Sequence, residues 1–70
     1  MGKTTLQNKL CELRTAAKHT QADLAERVGV TRQTIIAIEK GNYEPSVRLA
    51  LSLARELSVS VETIFYDSSV

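Results

Sequence analysis

The chain carries apolar residues at the three- and four-residue spacing that is typical of amphipathic helices. Two apolar stripes lie towards its ends, one made of Leu6, Leu10, Leu13 and Ala17 and the other of Val47, Ala50, Leu53, Ala54 and Leu57. We therefore expect one helix over about residues 5–18 and another over about 46–57. A capping box of Thr4 and Gln7 would begin the first, and Ser46 would cap the second.

Residues 20–41 contain the start and stop signals of two short helices joined by a tight turn. Thr20 can accept a hydrogen bond from an unpaired amide at the first helix start, and Gly29 can end that helix in a left-handed conformation. Thr31 is then the N-cap of the second helix, which Gly41 ends in the same way. The two helices should cover about residues 21–28 and 32–40.

A last short helix follows Ser60, over about residues 61–66, and residues 67–70 would form an unstructured tail. The whole pattern predicts one compact all-α domain over residues 1–70, with five helices and no strands of substance. At 43% hydrophobic residues, the chain can bury a small core.

The second helix of the central pair has two different faces. Ile35 and Ile38 lie three residues apart, so they share one face and can pack on the preceding helix. The opposite face offers a guanidinium, a carboxamide and apolar carbons, the groups that contact guanine, adenine and the thymine methyl in a major groove. The alternative is an ordinary solvated face, on which Ile36 is exposed by accident. The residues predicted to contact bases are Arg32, Gln33, Ile36 and Ala37.

Five residues of this segment occur together at the spacing of one motif, namely Gln21, Ala25, Gly29, Ile35 and Ile38. Because of this combination, the segment resembles the helix-turn-helix of the phage-repressor and Cro-like family, often called XRE-type regulators. The likeness runs from Leu13-Arg14 through GNYEPS to VSVETIF and covers roughly residues 5–66. It implies a lambda-repressor-like DNA-binding domain with the helix-turn-helix at its second and third helices.

The resemblance also implies which residues meet the DNA backbone. Gln21 would hold a phosphate beside the first amides of its helix, unless it is a plain first-turn residue. Lys40, Asn42 and Tyr43 would contact the backbone across the groove, although Tyr43 can equally pack over the loop. Two further candidates for phosphate or base contact are Thr31 and Thr34.

Arg14 lies beside the apolar stripe of the first helix. In the family, an arginine at this place pairs with a glutamate at the end of the recognition helix, which corresponds to Glu39. We therefore predict an Arg14–Glu39 ion pair that fixes helix orientation, since burial of a pair often adds little net stability. Glu39→Ala should be the more damaging change, because it leaves a partly buried cation unpaired.

The net charge of +1 is low for a DNA-binding protein, but the charges are unevenly distributed. Residues 1–20 carry +3, residues 21–41 are balanced, and residues 42–70 carry −2. A basic side can bind phosphate without a basic domain. The binding should then be weaker and more salt-sensitive than for a strongly basic domain.

Other chemistry finds little support in the sequence. The single cysteine, Cys11, excludes an internal disulfide and fits a reducing compartment. No apolar run approaches 18 residues, and the start of the chain lacks the apolar region of a signal peptide. GKTT at residues 2–5 lacks the strand and glycine-rich loop of a phosphate-binding loop, and His19 has no partner at metal-ligand spacing. We therefore expect a cytoplasmic protein with no membrane segment, metal, cofactor or enzymatic activity.

The C-terminal part holds more apolar surface than so small a core can readily hide, and Leu49 and Leu51 lie outside the simplest face of the fourth helix. One recognition helix contacts few base pairs. The resemblance implies a two-fold dimer, in which two recognition helices lie about one DNA turn, roughly 34 Å, apart. For Val59, Ile64 and Phe65 the alternative is closure of the core. The predicted homodimer interface consists of Leu51, Val59, Val61, Ile64 and Phe65.

The sequence therefore predicts a sequence-specific transcriptional regulator that binds double-stranded DNA. Its simplest form is a repressor that occupies a palindromic operator as a homodimer. The alternative is a protein-binding module, such as an antitoxin or accessory factor, that holds a partner protein on the surface of its fourth and fifth helices.

Overall fold

The computed structural model describes residues 6–67 of the chain. Within this range the chain forms five helices and two short strands. In chain order they are β1 (Leu6–Asn8), α1 (Leu10–Ala16), α2 (Gln21–Val28), α3 (Arg32–Glu39), α4 (Val47–Leu57), α5 (Val61–Ile64) and β2 (Phe65–Asp67). The five predicted helices are present, and the two strands are an addition that the apolar pattern did not predict.

One core of apolar side chains joins the helices to the strands. Its buried members are Leu10, Leu24, Ala25, Ile35, Ile38, Leu49, Leu53, Ala54, Ile64 and Phe65. α3 packs on α2, and α2 packs on α4. Ile35 and Ile38 are at most 1% exposed, so α3 buries the face that their three-residue spacing predicts. The core of the described residues contains no polar or charged residue, so burial of apolar surface holds it together.

The two strands bring the start and the end of the described chain together. β1 runs antiparallel to β2, with Asn8 opposite Phe65. The Oδ1 atom of Asn8 accepts a hydrogen bond from the backbone N–H of Leu10 at 3.0 Å, which satisfies an unpaired amide at the start of α1. The helix predicted over residues 5–18 is therefore too long at its N-terminal end, because Asn8 offers the backbone an alternative to the helix.

The ends of the chain differ from the prediction in further details. Gln7 lies in β1 rather than in a first helical turn, and its predicted partner Thr4 lies outside the described residues. The last helix ends before Phe65, because that residue has an extended backbone (φ −116°, ψ 138°) and pairs with β1. Asp67, predicted to begin the tail, belongs to β2, and residues 68–70 lie outside the described range.

The buried face of α4 is rotated relative to its predicted stripe. The stripe places Val47 inside, but this residue is 78% exposed, whereas Leu49, placed outside the stripe, is 8% exposed. The arc that faces the core contains Leu49 and Leu53, which lie one turn apart. Val47 lies at the edge of this arc in the first turn and stays largely uncovered. In the first helix, Ala17 was placed in the predicted apolar stripe. It follows the last residue of α1 and is exposed.

Candidate nucleic-acid interface

A capping box begins α2. Thr20 Oγ1 accepts a hydrogen bond from the backbone N–H of Asp23 at 3.0 Å, and Asp23 Oδ2 accepts one from the backbone N–H of Thr20 at 3.2 Å. The pKa of the Asp23 carboxyl lies below its usual value. The main cause is its hydrogen bond with the backbone of Thr20, and the hydrogen bond with the Thr20 side chain is the second cause. At the other end Gly29 adopts φ 77°, a left-handed conformation that glycine tolerates. These local signals fix both ends of α2 and so position the turn that leads to α3.

The turn after α2 and the start of α3 are held by further hydrogen bonds. The N–H of Val30 donates to the carbonyl oxygen of Ala25 at 2.9 Å, which closes the turn. Thr31 is the N-cap of α3, and its Oγ1 accepts from the backbone N–H of Thr34 at 3.3 Å. Gly41, at φ 76°, lets the chain turn away after α3.

The burial of one face of α3 leaves the other face open to solvent. Arg32, Gln33 and Lys40 are exposed, and Ile36 and Ala37 are half-buried. The side chains of Arg32, Gln33 and Lys40 have no hydrogen-bond or ion-pair partner within residues 6–67, so their polar groups are available to a ligand. This open face combines a guanidinium, a carboxamide and an ammonium group with apolar carbons. Such a set matches the donors, acceptors and methyl groups that base pairs present in a major groove.

The predicted backbone contacts lie on the flanks of this open face. Thr31 and Asn42 are exposed, Thr34 is half-buried, and Tyr43 is 42% exposed. The two threonine hydroxyl oxygens lie 3.2 Å apart, so each hydroxyl already has one partner. Tyr43 lines a surface depression between the α2–α3 turn and the start of α4, and it does not belong to the core.

A network of three side chains joins α1, α2 and α3. Arg14 Nε lies 2.7 Å from Glu39 Oε2, and the two side chains are only 13% and 8% exposed. Gln21 Nε2 donates to Glu39 Oε1 at 3.0 Å, and Arg14 Nη1 donates to the carbonyl oxygen of His19 at 2.9 Å. The hydrogen bond to Glu39 raises the pKa of Arg14 above its usual value, although burial acts in the opposite direction. The structure thus joins the two residues predicted to form an ion pair and extends the contact to Gln21.

Two contacts around the helix-turn-helix were not predicted from the sequence. Asn8 Nδ2 donates to the carbonyl oxygen of Ile38 at 2.9 Å, so the end of β1 is anchored to the last turn of α3. Arg27 Nη1 lies 3.1 Å from Glu56 Oε2, and this exposed pair joins α2 to α4. An asparagine ahead of a helix is a signal for a local cap. Its long-range partner depends on the fold and has no local signal.

The residues predicted to form a dimer interface divide into two groups. Ile64 is fully buried and Phe65 is 7% exposed within the single chain, so they offer almost no surface to a second chain. The predicted role in a dimer interface is therefore wrong for Ile64 and Phe65, which close the core instead. Leu51 is 55% exposed, and Val59 and Val61 are half-buried, so these three keep surface that a second chain can contact.

No helix within residues 6–67 combines the length and the hydropathy needed to cross a bilayer. The same residues contain no group of three or more His, Cys, Asp or Glu side chains that could hold a metal ion. Cys11 is an exposed free thiol, and its Sγ accepts a weak contact from Arg14 Nη2 at 3.5 Å.

Relatives of the chain are found among known proteins. A helix-turn-helix family model matches residues 12–64. An uncharacterized HTH-type transcriptional regulator of Methanocaldococcus jannaschii is 52% identical over 60 residues, which cover 86% of this chain and 91% of that protein. YgzD, an uncharacterized HTH-type transcriptional regulator of Bacillus subtilis, is 48% identical over 61 residues, covering 87% and 92%.

Solved structures share the fold. The restriction-modification controller protein C.AhdI from Aeromonas hydrophila matches with a TM-score of 0.72 at 33% identity, covering 77% of this chain and 82% of that chain. A crystal structure from Bacteroides fragilis matches with a TM-score of 0.79 at 21% identity, covering 87% and 98%, which shows similarity of fold alone. The predicted fold, with α2 and α3 as the two helices of the motif, is thus confirmed. The chain therefore belongs to the XRE-type helix-turn-helix family of DNA-binding transcriptional regulators.

Proposed function

We propose that the chain is a cytoplasmic, sequence-specific regulator that places α3 in the major groove of double-stranded DNA. The observation that carries the proposal is the division of α3 into a face buried in the core and a face on which Arg32, Gln33 and Lys40 have no side-chain partner among residues 6–67. Arg32 and Gln33 lie on the open face. Each can make two hydrogen bonds to one base, arginine to guanine and glutamine to adenine. Ile36 and Ala37 add apolar carbons for thymine methyl groups.

Phosphate contacts on both flanks of α3 would fix its position in the groove. On one flank, the amide of Gln21 gives one hydrogen to Glu39 and keeps the second for a phosphate. The first N–H groups of α2 lie beside it, and helix starts favour anions. Such contacts position the protein without recognising sequence. The remaining proposed backbone contacts are Thr31, Thr34, Lys40, Asn42 and Tyr43.

DNA binding by single variants tests this proposal. The wild-type protein would first select a duplex from random-sequence DNA, and gel shifts would then give the affinity of each variant for it. Arg32→Ala and Gln33→Ala should each cost about 1–3 kcal/mol on this duplex, because each removes a bidentate base contact. Lys40→Ala should weaken all duplexes about equally and flatten the dependence of affinity on salt by about one unit of slope.

The matched control is Arg55→Ala, which removes an exposed charge from α4, outside the helix-turn-helix. This variant should bind like wild type. If Arg32→Ala, Gln33→Ala and Lys40→Ala also bind like wild type, α3 does not present the DNA-binding face.

A homodimer on a palindromic operator completes the proposal, with repression by occupation of a promoter. Two recognition helices about one DNA turn apart would supply the specificity that one helix lacks. The support is an apolar patch of Val47, Leu51 and Tyr66, which are 78%, 55% and 39% exposed. Val47 and Tyr66 also line a groove of about 480 Å³ together with Val61, between α4 and the α5–β2 segment. Val59, half-buried after α4, would extend the contact.

The same patch supports a second candidate function, the binding of a different protein. Clustered apolar side chains on a small surface mark sites of protein contact. Such a partner would make the chain an antitoxin or an accessory factor that also binds DNA. The oligomeric state separates the two candidates, because a chain that stays monomeric on its selected duplex leaves the patch to another protein.

A further inference from the structure

We infer that Arg48, in the first turn of α4, binds a phosphate of the DNA and so extends the interface beyond the helix-turn-helix. The inference rests on the proposed function, because it requires α3 to lie in the major groove. It assigns a DNA contact to α4, a helix that lies outside the helix-turn-helix and contributes Leu49, Leu53 and Ala54 to the core.

The position of Arg48 follows from a surface depression of about 500 Å³ between the α2–α3 turn and the start of α4. Arg48 lines this depression together with Thr34 and Tyr43, two of the proposed backbone contacts. Ser46 and Ser52 add hydroxyl groups to its wall. A DNA strand that touches Thr34 and Tyr43 therefore passes the rim on which the Arg48 side chain lies.

Arg48 forms no ion pair within the described part of the chain. Among the described residues that line the depression, no other is charged. The Arg48 side chain is exposed and has no hydrogen-bond or ion-pair partner within residues 6–67. Arg14 and Arg27, by contrast, are each held by a glutamate. A free guanidinium has the planar fork of donors that binds a phosphate with two parallel hydrogen bonds.

The phase of α3 indicates which strand Arg48 would meet. Thr34 and Glu39 are five residues apart, so they lie about 140° apart around the helix, on opposite flanks of the open face. The Glu39 flank carries Gln21, and the Thr34 flank carries Arg48. A helix in a major groove, about 12 Å wide, has a phosphate strand on each side. Arg48 would therefore bind the strand opposite to the one that Gln21 binds.

Salt-dependent binding tests the inference, with the duplex selected by the wild-type protein as the probe. Arg48→Ala should lower the affinity about two- to fivefold, as the loss of one exposed ion pair does. It should also reduce the slope of log K against log salt by about 0.9, the contribution of one phosphate contact. Arg48→Lys should keep most of the slope, because it keeps the charge.

Arg55→Ala is the matched control, since it removes an exposed arginine roughly 10 Å further along the same helix. It should leave both the affinity and the slope unchanged, and thermal unfolding should show that every variant is folded. A wild-type slope for Arg48→Ala, or an equal loss for Arg55→Ala, would overturn the inference. The proposed function would survive that result if Gln33→Ala still loses affinity for the selected duplex. It would itself be contradicted if Gln33→Ala and Arg32→Ala bind like wild type.

Discussion

Glu39 is the residue through which the first three helices are joined. Its carboxylate accepts hydrogen bonds from Arg14 of α1 and Gln21 of α2, while Glu39 itself is the last residue of α3. Because the Arg14 side chain is only 13% exposed, water cannot easily replace the carboxylate. The network therefore fixes the angle at which the open face of α3 is presented.

We predict that Glu39→Ala lowers the free energy of unfolding by about 3 kcal/mol, because it leaves a largely buried guanidinium unpaired. Arg14→Ala should cost less, since Glu39 then keeps its side-chain hydrogen bond from Gln21, whereas in Glu39→Ala the guanidinium of Arg14 loses its carboxylate and keeps the backbone carbonyl oxygen of His19. Urea unfolding measures both. The control is Glu56→Ala, which breaks the exposed Arg27–Glu56 pair and should cost less than about 1 kcal/mol. Equal stability of the Glu39 and Glu56 variants would show that the network contributes no more to stability than an exposed ion pair.

Single residues could be predicted from the sequence where helical phase decides their environment. The spacing of Ile35 and Ile38 predicted their burial, and it is confirmed. The same reasoning could not place Ile64 and Phe65, because their burial depends on how the junction of α5 and β2 packs on the core, where Phe65 lies opposite Asn8 of β1. Apolar character alone does not distinguish a residue that closes a core from one that meets a second chain.

At the scale of elements, α2 and α3 have the predicted ends to within one residue, because their caps are next to them in the sequence. Thr20 and Thr31 accept amide hydrogen bonds at the two helix starts, as predicted. Both α1 and α5 are shorter than predicted. Strand β1 takes the place of the predicted first turn of α1, and β2 takes the place of the predicted last residues of α5. These strands pair with each other from opposite ends of the described chain, so their pairing has no local signal in the sequence. Strands of three residues also leave too little alternation for the apolar pattern to detect.

Four helices are followed by a residue in the left-handed conformation, but only two of these residues are glycines. Gly29 and Gly41 follow α2 and α3, while Lys18 and Ser58 have φ values of 63° and 58° after α1 and α4. A side chain makes this conformation costly, at about 1 kcal/mol or more. The chain therefore carries backbone strain at Lys18 and Ser58 that glycine would relieve.

We predict that Ser58→Gly raises the free energy of unfolding by about 0.5–1 kcal/mol, because the relieved strain exceeds the entropy that glycine loses on folding. Gly29→Ala should have the opposite sign at about 1 kcal/mol. Nothing lies within 4 Å of a Cβ added at Gly29, so backbone conformation alone would set that loss. Urea unfolding at one pH compares the two variants. A destabilised Ser58→Gly would show that the serine stabilises the helix end.

The size of the whole molecule is compatible with the proposed homodimer on DNA. The described chain measures 30 × 24 × 20 Å, and one DNA turn is roughly 34 Å long. A single copy therefore presents one recognition helix to about one turn of the groove. In the proposed homodimer, a second copy would pack on the exposed Val47, Leu51 and Tyr66 side chains and add the next recognition helix.

We predict that the wild-type protein sediments with the mass of two chains at tens of micromolar. Leu51→Glu should sediment as one chain and bind the selected duplex more weakly, because it places a charge in the apolar patch. Leu51 is 55% exposed, so this variant should stay folded. A wild-type mass of one chain, both free and on the duplex, would exclude the homodimer.

The chemistry of the candidate site was largely predictable because α3 presents one regular face, and helical phase assigned Arg32 and Gln33 to it. Arg48 was not predictable, since only the packing of α4 beside the α2–α3 turn brings it to the rim shared with Thr34 and Tyr43. Helical phase alone could therefore assign residues of one helix to a shared face. The proposed backbone contacts lie on several elements, whose arrangement only the fold supplies.

We propose that the open face of α3 recognises bases, and in vitro selection with a single variant can measure this recognition. Random-sequence DNA would be selected in parallel with the wild-type protein and with Gln33→Ala, with Arg55→Ala as the control. We expect Gln33→Ala to lose the preference at one base pair of each half-site and to keep the rest of the motif, because one bidentate contact specifies one base. Recovery of the complete wild-type motif by Gln33→Ala would contradict the claim.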